Sequence, residues 1–150
     1  MQKAQLQEEL KQSMFARDEL KKSVLRMLLS AITYYEIEKG GAGYNASEED
    51  VMAVTQKQVK QRRDSIEQFQ NAGRQELVDR ETKELHLLQT YLPEQMSEEE
   101  IKKIVNDAIS KTNAASMQDI GKVMGIIMPQ VKGKADGNIV NKIVRENLAS

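Results

Sequence analysis

The chain has 150 residues, of which 39% are hydrophobic and 30% are charged, and its formal net charge at pH 7 is -1. This composition is typical of a folded, helix-rich protein with a proper core, and it excludes a disordered chain. The sequence contains no cysteine, which excludes disulfides, a thiolate metal site and a cysteine nucleophile.

The first half of the N-terminal region is predicted to form two helices. Residues 2–16 place Leu6, Leu10 and Met14 at helical spacing, which predicts a short amphipathic helix. Asp18 can cap a longer second helix that runs to about residue 39 and carries a wide apolar stripe. The glycines at positions 40, 41 and 43 end this helix, because glycine is favoured at a C-terminal cap.

Two further helices complete the N-terminal region. Ser47 with Asp50 forms a capping motif for a third helix that ends at Gly73. We expect its basic run to be solvated and ion-paired with Asp64 and Glu67 at helical spacing; the run consists of Lys57, Lys60, Arg62 and Arg63. A fourth helix covers residues 74–91 and is closed by Pro93, since proline disfavours a helical residue before it.

Three shorter helices follow. Ser97 with Glu100 is a second capping box, and the apolar residues after it recur at helical spacing. Ser116 with Asp119 repeats the capping pattern for the next helix, and Asp136 is the expected cap of the last one. No stretch alternates with a period of two, so strands are not expected. The sequence predicts an all-α protein with an N-terminal bundle of about four helices over residues 1–92 and a three-helix C-terminal domain over residues 97–150.

The last third of the chain is locally basic. Between Lys122 and Arg145 there are five basic residues and one acidic residue, Asp136. Such a compact basic edge on a nearly neutral protein suggests contact with an anion, most plausibly phosphate. The candidate residues are Lys122, Lys132, Gly133, Lys134, Gly137, Lys142 and Arg145. The alternative is a helix connection in which the glycines serve tight geometry and the lysines are solvated.

Other residues that could carry chemistry are assigned structural roles. Gly121 and Gly125 lie four apart on one helix face, and we expect them to allow close packing of another helix, although a nucleic-acid backbone could equally approach there. His86 is the only histidine and is expected to be structural. We predict no catalytic residue, metal ligand or cofactor. Neither an apolar signal core nor a membrane-spanning stretch is found, so we expect a cytoplasmic protein with no membrane partner.

Several ordered motifs resemble the GatB/YqeY family, and in particular its stand-alone YqeY-like members, over nearly the whole chain. They are Leu25-Arg-Met-Leu-Leu-Ser-Ala-Ile32, Lys60-Gln-Arg-Arg-Asp-Ser-Ile-Glu-Gln-Phe69 with Ala72-Gly-Arg74, Tyr91-Leu-Pro-Glu-Gln-Met-Ser97, and Gly121-Lys-Val-Met-Gly125 through Lys132-Gly-Lys-Ala-Asp-Gly137. The resemblance implies a helical domain related to the tail of the GatB polypeptide of the tRNA-dependent amidotransferase, which uses glutamine to amidate glutamate or aspartate misacylated on tRNA. In that enzyme the tail helps to grip tRNA.

The sequence lacks the catalytic portion of GatB. We therefore expect a non-catalytic module that binds tRNA or another structured RNA, alone or beside an amidotransferase or an aminoacyl-tRNA synthetase. Two alternatives stay open: a protein-interaction adaptor, and a carbon–nitrogen ligase with glutamine as amido donor by family association. Aromatic residues are only 4% of the chain, so few side chains could stack on bases. We therefore expect RNA to be recognised by its phosphates and its shape.

Overall fold

The computed structural model describes residues 1–149 of the chain. Over these residues it contains helices and no strand, which confirms the prediction of an all-α protein. The chain divides into two compact units, Met1–Leu92 and Pro93–Ser150. The first holds α1 (Lys3–Phe15), α2 (Glu19–Gly40), α3 (Glu48–Asn71) and α4 (Gln75–Gln89), and the second holds α5 (Glu98–Thr112), α6 (Ile120–Val131) and α7 (Gly137–Ala149).

The core of the first unit is built around α2. This helix contacts α1, α3 and α4, and its residues Leu25, Leu28 and Ile32 are almost completely buried. One apolar cluster joins the four helices, and its other buried members are Leu6, Val24, Val51, Val54, Val59, Leu85, Leu88 and Leu92. The apolar stripes in the sequence therefore face a shared interior.

Local capping sets the helix starts in the first unit. The Asp18 carboxylate accepts a hydrogen bond from the backbone N–H of Lys21 at 3.0 Å, as the sequence predicts. Ser47 and Asp50 form a reciprocal capping box at the start of α3. Both caps satisfy backbone donors that a helix leaves without intrahelical partners.

A polar network holds the connection between α2 and α3. The Asp50 carboxylate accepts hydrogen bonds from the hydroxyls of Tyr35 and Tyr44 and pairs with Lys39. These bonds, led by that from Tyr44, hold the pKa of Asp50 far below its ordinary value. The pKa of Glu36 is also lowered, because its carboxylate accepts from Lys3 and from the backbone N–H of Ala46.

The basic run on α3 is not the ion-paired surface that the sequence suggests. Arg62 is only 5% exposed, and its guanidinium pairs with Glu81 and Glu84 on α4. Within the described residues, Asp64 and Glu67 on α3 pair with no member of the run. Lys57, Lys60 and Arg63 are exposed as predicted. The prediction is wrong for Arg62 and for the ion pairs, because helical spacing reports only local neighbours and the acids that pair with Arg62 come from another helix.

The second unit has a core of aliphatic side chains alone. Val105, Val123, Ile127, Val140 and Val144 are completely buried, and they form one cluster with other residues of α5, α6 and α7. No aromatic residue occurs between positions 93 and 150. The predicted capping box of Ser97 with Glu100 is present at the start of α5.

The start of α6 differs from its prediction. Ser116 makes no side-chain capping hydrogen bond, and a short 3-10 turn, Met117–Asp119, precedes the helix. Instead, the Asp119 carboxylate accepts from the backbone N–H of Ala115 at 3.0 Å, which is the main cause of its lowered pKa. Asp119 therefore bonds the backbone that precedes it, whereas Ser116 does not cap the helix that follows it.

Two further observations bear on function. Among the described helices, none combines the length and the hydropathy that crossing a membrane requires. His86 lies exposed in the last turn of α4, so it is not a packed core residue.

Candidate nucleic-acid interface

The candidate site is built on the corner between α6 and α7. Burial alternates along this corner: Val131, Gly133 and Ala135 face the interior, while Lys132 and Lys134 are exposed. Because Val131 and Ala135 belong to the aliphatic core, they fix the direction of the chain through the corner. Two lysine side chains are thereby held on the outside of the second unit.

Hydrogen bonds to the backbone pin this corner to the segment that leads into α5. The side-chain amide of Gln95 donates to the carbonyl of Gly133 at 2.9 Å, and the backbone N–H of Met96 donates to the carbonyl of Lys134 at 2.9 Å. The backbone N–H groups of Lys134 and Ala135 both bond the carbonyl of Val131. Sequence reasoning did not find this tie, since Gln95 lies 38 residues from its partner.

The two glycines assigned to the corner are not equivalent. Gly133 has a φ of 79°, a left-handed conformation that other residues adopt only with strain. Gly137 is the first residue of α7, and a Cβ added to it would meet only the Cε of Met128 at an ordinary 3.8 Å. The backbone N–H of Asn138 bonds the Asp136 carboxylate, so Asp136 caps α7 as the sequence predicts. Gly133 is thus the residue on which the corner depends.

Lys142 and Arg145 lie three residues apart on the outer face of α7. Both are exposed, whereas Val140, Ile143 and Val144 fill the inner face. Arg145 donates from Nε to the side-chain oxygen of Asn141 at 2.6 Å, which orients its guanidinium along the helix. No acidic side chain pairs with either cation within the described residues.

The outer face of α6 is open. Gly121 and Gly125 are exposed, and a Cβ added to either one would meet nothing within 4 Å. The expectation that they allow another helix of this chain to pack closely is wrong, because spacing places two glycines on one face but does not say whether anything covers that face. Pro129 lacks an N–H, so the carbonyl of Gly125 has no donor at the ordinary helical position.

Lys122 stands beside this glycine face in the first turn of α6. It is exposed, and its charge contributes to the low pKa of Asp119, although backbone hydrogen bonds contribute more. The candidate residues therefore fall into three groups on consecutive segments: Lys122 on α6, Lys132 to Gly137 at the corner, and Lys142 with Arg145 on α7. Of these three groups, only the corner is held in place by the hydrogen bonds to backbone carbonyls described above.

This arrangement offers exposed cations rather than reactive groups. The described residues contain no cluster of three or more histidine and acidic side chains that could hold a metal ion. The described core beneath the cations is aliphatic and carries no buried charged residue. What the surface can do chemically is attract anions and form charge-assisted hydrogen bonds to them.

The fold and this surface define an all-helical protein whose small second unit presents a basic helix–corner–helix surface. Residues 3–148 match the model of the Yqey-like protein family, and the chain belongs to that family, which is related to the tail of the amidotransferase polypeptide GatB.

Three curated relatives of the chain share the name "Altered inheritance of mitochondria protein 41, mitochondrial". The chain is 33% identical to the protein of Vanderwaltozyma polyspora over 121 residues, which cover 77% of this chain and 64% of the relative. It is 38% identical to that of Lachancea thermotolerans over 89 residues, 59% of this chain and 46% of the relative. It is 30% identical to that of Saccharomyces cerevisiae over 151 residues, 94% of this chain and 80% of the relative. The chain thus spans about half to two thirds of the first two relatives.

The prediction of a cytoplasmic location is wrong, because the names of these relatives place them in mitochondria. The prediction rested on the absence of an apolar signal core. That absence argues only against a secretory signal peptide. Mitochondrial transit peptides are amphipathic and rich in arginine, so hydropathy does not separate the two compartments.

Proposed function

We propose that the second unit binds structured RNA, with tRNA the foremost candidate, through phosphate contacts from α6, α7 and the corner between them. One observation carries this proposal: five exposed cations and a single acidic residue occupy the stretch from Lys122 to Arg145. The phosphate backbone of a folded RNA is the common cellular polyanion that such a surface suits. Lys122, Lys132, Lys134, Lys142 and Arg145 supply the cations, and Gly133 shapes the corner.

The chemistry of the unit favours folded RNA over single strands. Single-stranded nucleic acid is usually held by stacking its bases on aromatic rings, and residues 93–150 contain none. The open space at Gly121 and Gly125, where an added Cβ would meet nothing within 4 Å, leaves room for a sugar-phosphate backbone to approach α6. Recognition then proceeds through shape and charge, as on the surface of tRNA.

The relationship to the tail of GatB supports tRNA as the ligand and suggests an accessory role beside an amidotransferase or an aminoacyl-tRNA synthetase. The chain itself is then non-catalytic. Incubation of the purified chain with glutamine, ATP and misacylated tRNA should give no amidated product, and turnover in that assay would restore the alternative of a carbon–nitrogen ligase.

The direct test compares matched double variants by fluorescence anisotropy with labelled tRNA. Lys132→Ala/Lys134→Ala removes two exposed cations from the corner, whereas Lys103→Ala/Lys111→Ala removes two exposed lysines from α5 in the same unit. We expect the corner variant to bind tRNA clearly more weakly and the α5 variant to bind like the wild type. Equal binding by all three proteins would refute the proposed interface.

A protein-interaction adaptor is the second candidate, and exposed apolar residues favour it. Ile126, Met128 and Ile139 on α6 and α7 are 37%, 38% and 42% exposed, and they lie on the same segments as the basic residues. A pull-down with and without ribonuclease separates the candidates. A specific partner that survives RNA digestion and is lost on Ile126→Glu, while tRNA binding persists, would establish the adaptor.

A further inference from the structure

An apolar stripe runs along the outer face of α2 in the first unit. Leu20, Met27, Tyr34 and Ile37 are 39%, 47%, 72% and 60% exposed, although each is a large apolar side chain. They lie on the other side of the helix from the buried Leu25 and Ile32. Four such residues on one face of one helix exceed the scattered exposure that is normal on a protein surface.

The spacing of this α2 stripe is that of a helix-pairing seam. Leu20, Met27 and Tyr34 are seven residues apart, and Ser23, Ser30 and Ile37 each follow one of them by three. Alternating steps of three and four residues are the pattern by which two helices pack side by side. The four apolar residues of this seam stay exposed within the first unit, although the Arg62 guanidinium of α3 contacts the Met27 sulfur at 3.3 Å.

The stripe is complementary to itself when two copies run antiparallel. With a two-fold axis beside Leu28 and Leu29, Leu20 of one copy faces Ile37 of the other. In the same register Met27 faces Ser30 and Tyr34 faces Ser23. Every bulky central side chain therefore meets a small one, as close packing of two helices requires. A parallel arrangement would instead set Tyr34 against Tyr34 and serine against serine.

The charges at the ends of the stripe agree with the same register. Lys21, Lys22 and Lys39 are already engaged by Glu9, Glu19 and Asp50. Arg17 and Glu38 form no ion pair within the described residues; Arg17 lies in the turn just before α2, and Glu38 lies in the last turn of α2. Antiparallel pairing brings Glu38 of each copy next to Arg17 of the other, whereas parallel pairing brings like charges together.

The neighbouring helix leaves room for a second copy. An open cavity of about 330 Å³ borders the stripe, and its walls include Tyr34 on α2 and Gln58 and Gln61 on α3. The two glutamine side chains are hydrogen-bonded to each other at 3.2 Å. They present amide edges that can bond a polar side chain of an approaching helix.

We propose that two copies of this chain associate through antiparallel α2 stripes into a symmetric dimer. The contact is isologous, so each copy contributes the same seam and the assembly closes at two copies. The seam belongs to the first unit, so the proposal is independent of RNA binding by the second.

Sedimentation velocity of the full chain over about 1 to about 200 µM tests the dimer. We expect the sedimentation coefficient to rise to that of a dimer with concentration. Tyr34→Glu should weaken the association by at least about tenfold, as expected for an aromatic residue at the centre of an interface. Phe15→Glu is the matched control, because Phe15 is 80% exposed but lies off the stripe, and it should leave the dimer unchanged. Far-UV circular dichroism checks that both variants fold.

A charge exchange tests the register. Glu38→Arg and Arg17→Glu should each weaken the dimer, and the two changes together should restore it. A wild-type protein that stays monomeric throughout the concentration range would overturn the proposal. So would a dimer that Tyr34→Glu leaves intact, or a double exchange that fails to restore association.

Discussion

The two units of this protein use their charged side chains in different ways. In the first unit Glu36, Asp50, Arg62 and Glu84 are buried and engaged in ion pairs or hydrogen bonds that tie helices and loops together. In the second unit the core is aliphatic, and the cations from Lys122 to Arg145 stand on the surface. Charged side chains that pair with one another inside the protein stabilise its fold, while charged side chains on the surface can contact a ligand. The contrast indicates a stabilising role for the first set and is the basis for proposing a binding role for the second.

The largest effect should come from breaking the buried ion pair of the first unit. Glu84→Leu leaves the buried Arg62 guanidinium with Glu81 alone, and the loss of one partner from a buried pair costs about 3–5 kcal/mol. Urea titration followed by tyrosine fluorescence reports this unit specifically, because all four tyrosines lie in residues 1–92.

Two control variants test whether the loss of stability comes from the buried ion pair. Glu76→Ala breaks an exposed pair with Arg74 and should change stability little. Arg62→Met combined with Glu84→Leu should recover most of the loss, since an apolar replacement of the whole pair leaves no buried charge. An unchanged midpoint for Glu84→Leu would show that the pair does not hold α3 to α4. Binding of tRNA by the folded variants should be unaffected.

The next effect is the acid sensitivity of the first unit. The folded-state pKa values of Asp50 and Glu36 lie below their ordinary values of 3.8 and 4.5, so both carboxylates bind protons less readily in the folded chain than in the unfolded one. Their contribution to stability is therefore complete above those ordinary values and is lost as the pH falls below them. Tyrosine-detected unfolding between about pH 6 and about pH 2.5, by about half-unit steps, measures the loss.

Asp50→Asn isolates the part of this acid dependence that belongs to the α2–α3 connection. The variant should be less stable than the wild type at neutral pH and should lose less stability on acidification. If the wild type and the variant showed the same pH profile, the Asp50 network would not be the source of the acid sensitivity.

A moderate effect is expected at the corner of the second unit. Gly133→Ala forces a side chain into a left-handed conformation and should cost about 1–2 kcal/mol. Gly137→Ala should cost nothing comparable, because its new Cβ meets only an ordinary contact. Hydrogen exchange of α6 and α7 amides measures the two variants. Equal protection in both would mean that the left-handed residue does not control the corner.

Sequence patterns predicted most local features, with the cap at Ser116 as the exception, and failed where the answer lies elsewhere in the fold. The caps at Asp18, Ser47 and Ser97 were correct because each cap and its backbone partner lie three residues apart. The environment of Arg62 was wrong because its partners lie on the next helix. The glycines of α6 are not packed against another helix of the described chain, and only the fold shows whether such a surface is covered. For the candidate site, the exposure of the cations and the tie from Gln95 required the structure.

The smallest effect concerns α6, where stability and RNA binding are expected to change in opposite directions. Gly121→Ala and Gly125→Ala each add a methyl group in open space and should stabilise the helix by up to about 1 kcal/mol. If an RNA backbone approaches this face, the same variants should weaken tRNA binding even though the unit becomes more stable. Amide exchange and anisotropy on one protein sample give both values. Stabilisation with unchanged binding would remove the glycine face from the interface.

The salt dependence of tRNA binding tests the central claim most directly. A surface that neutralises Z phosphates releases counterions, so the affinity falls with a log–log slope of roughly -0.9 per phosphate on a duplex. The slope for Lys132→Ala/Lys134→Ala should be shallower than that of the wild type by about two, while Lys103→Ala/Lys111→Ala should keep the wild-type slope. A slope that is unchanged in the corner variant, or reduced equally by the α5 variant, would contradict an RNA interface on α6, α7 and their corner.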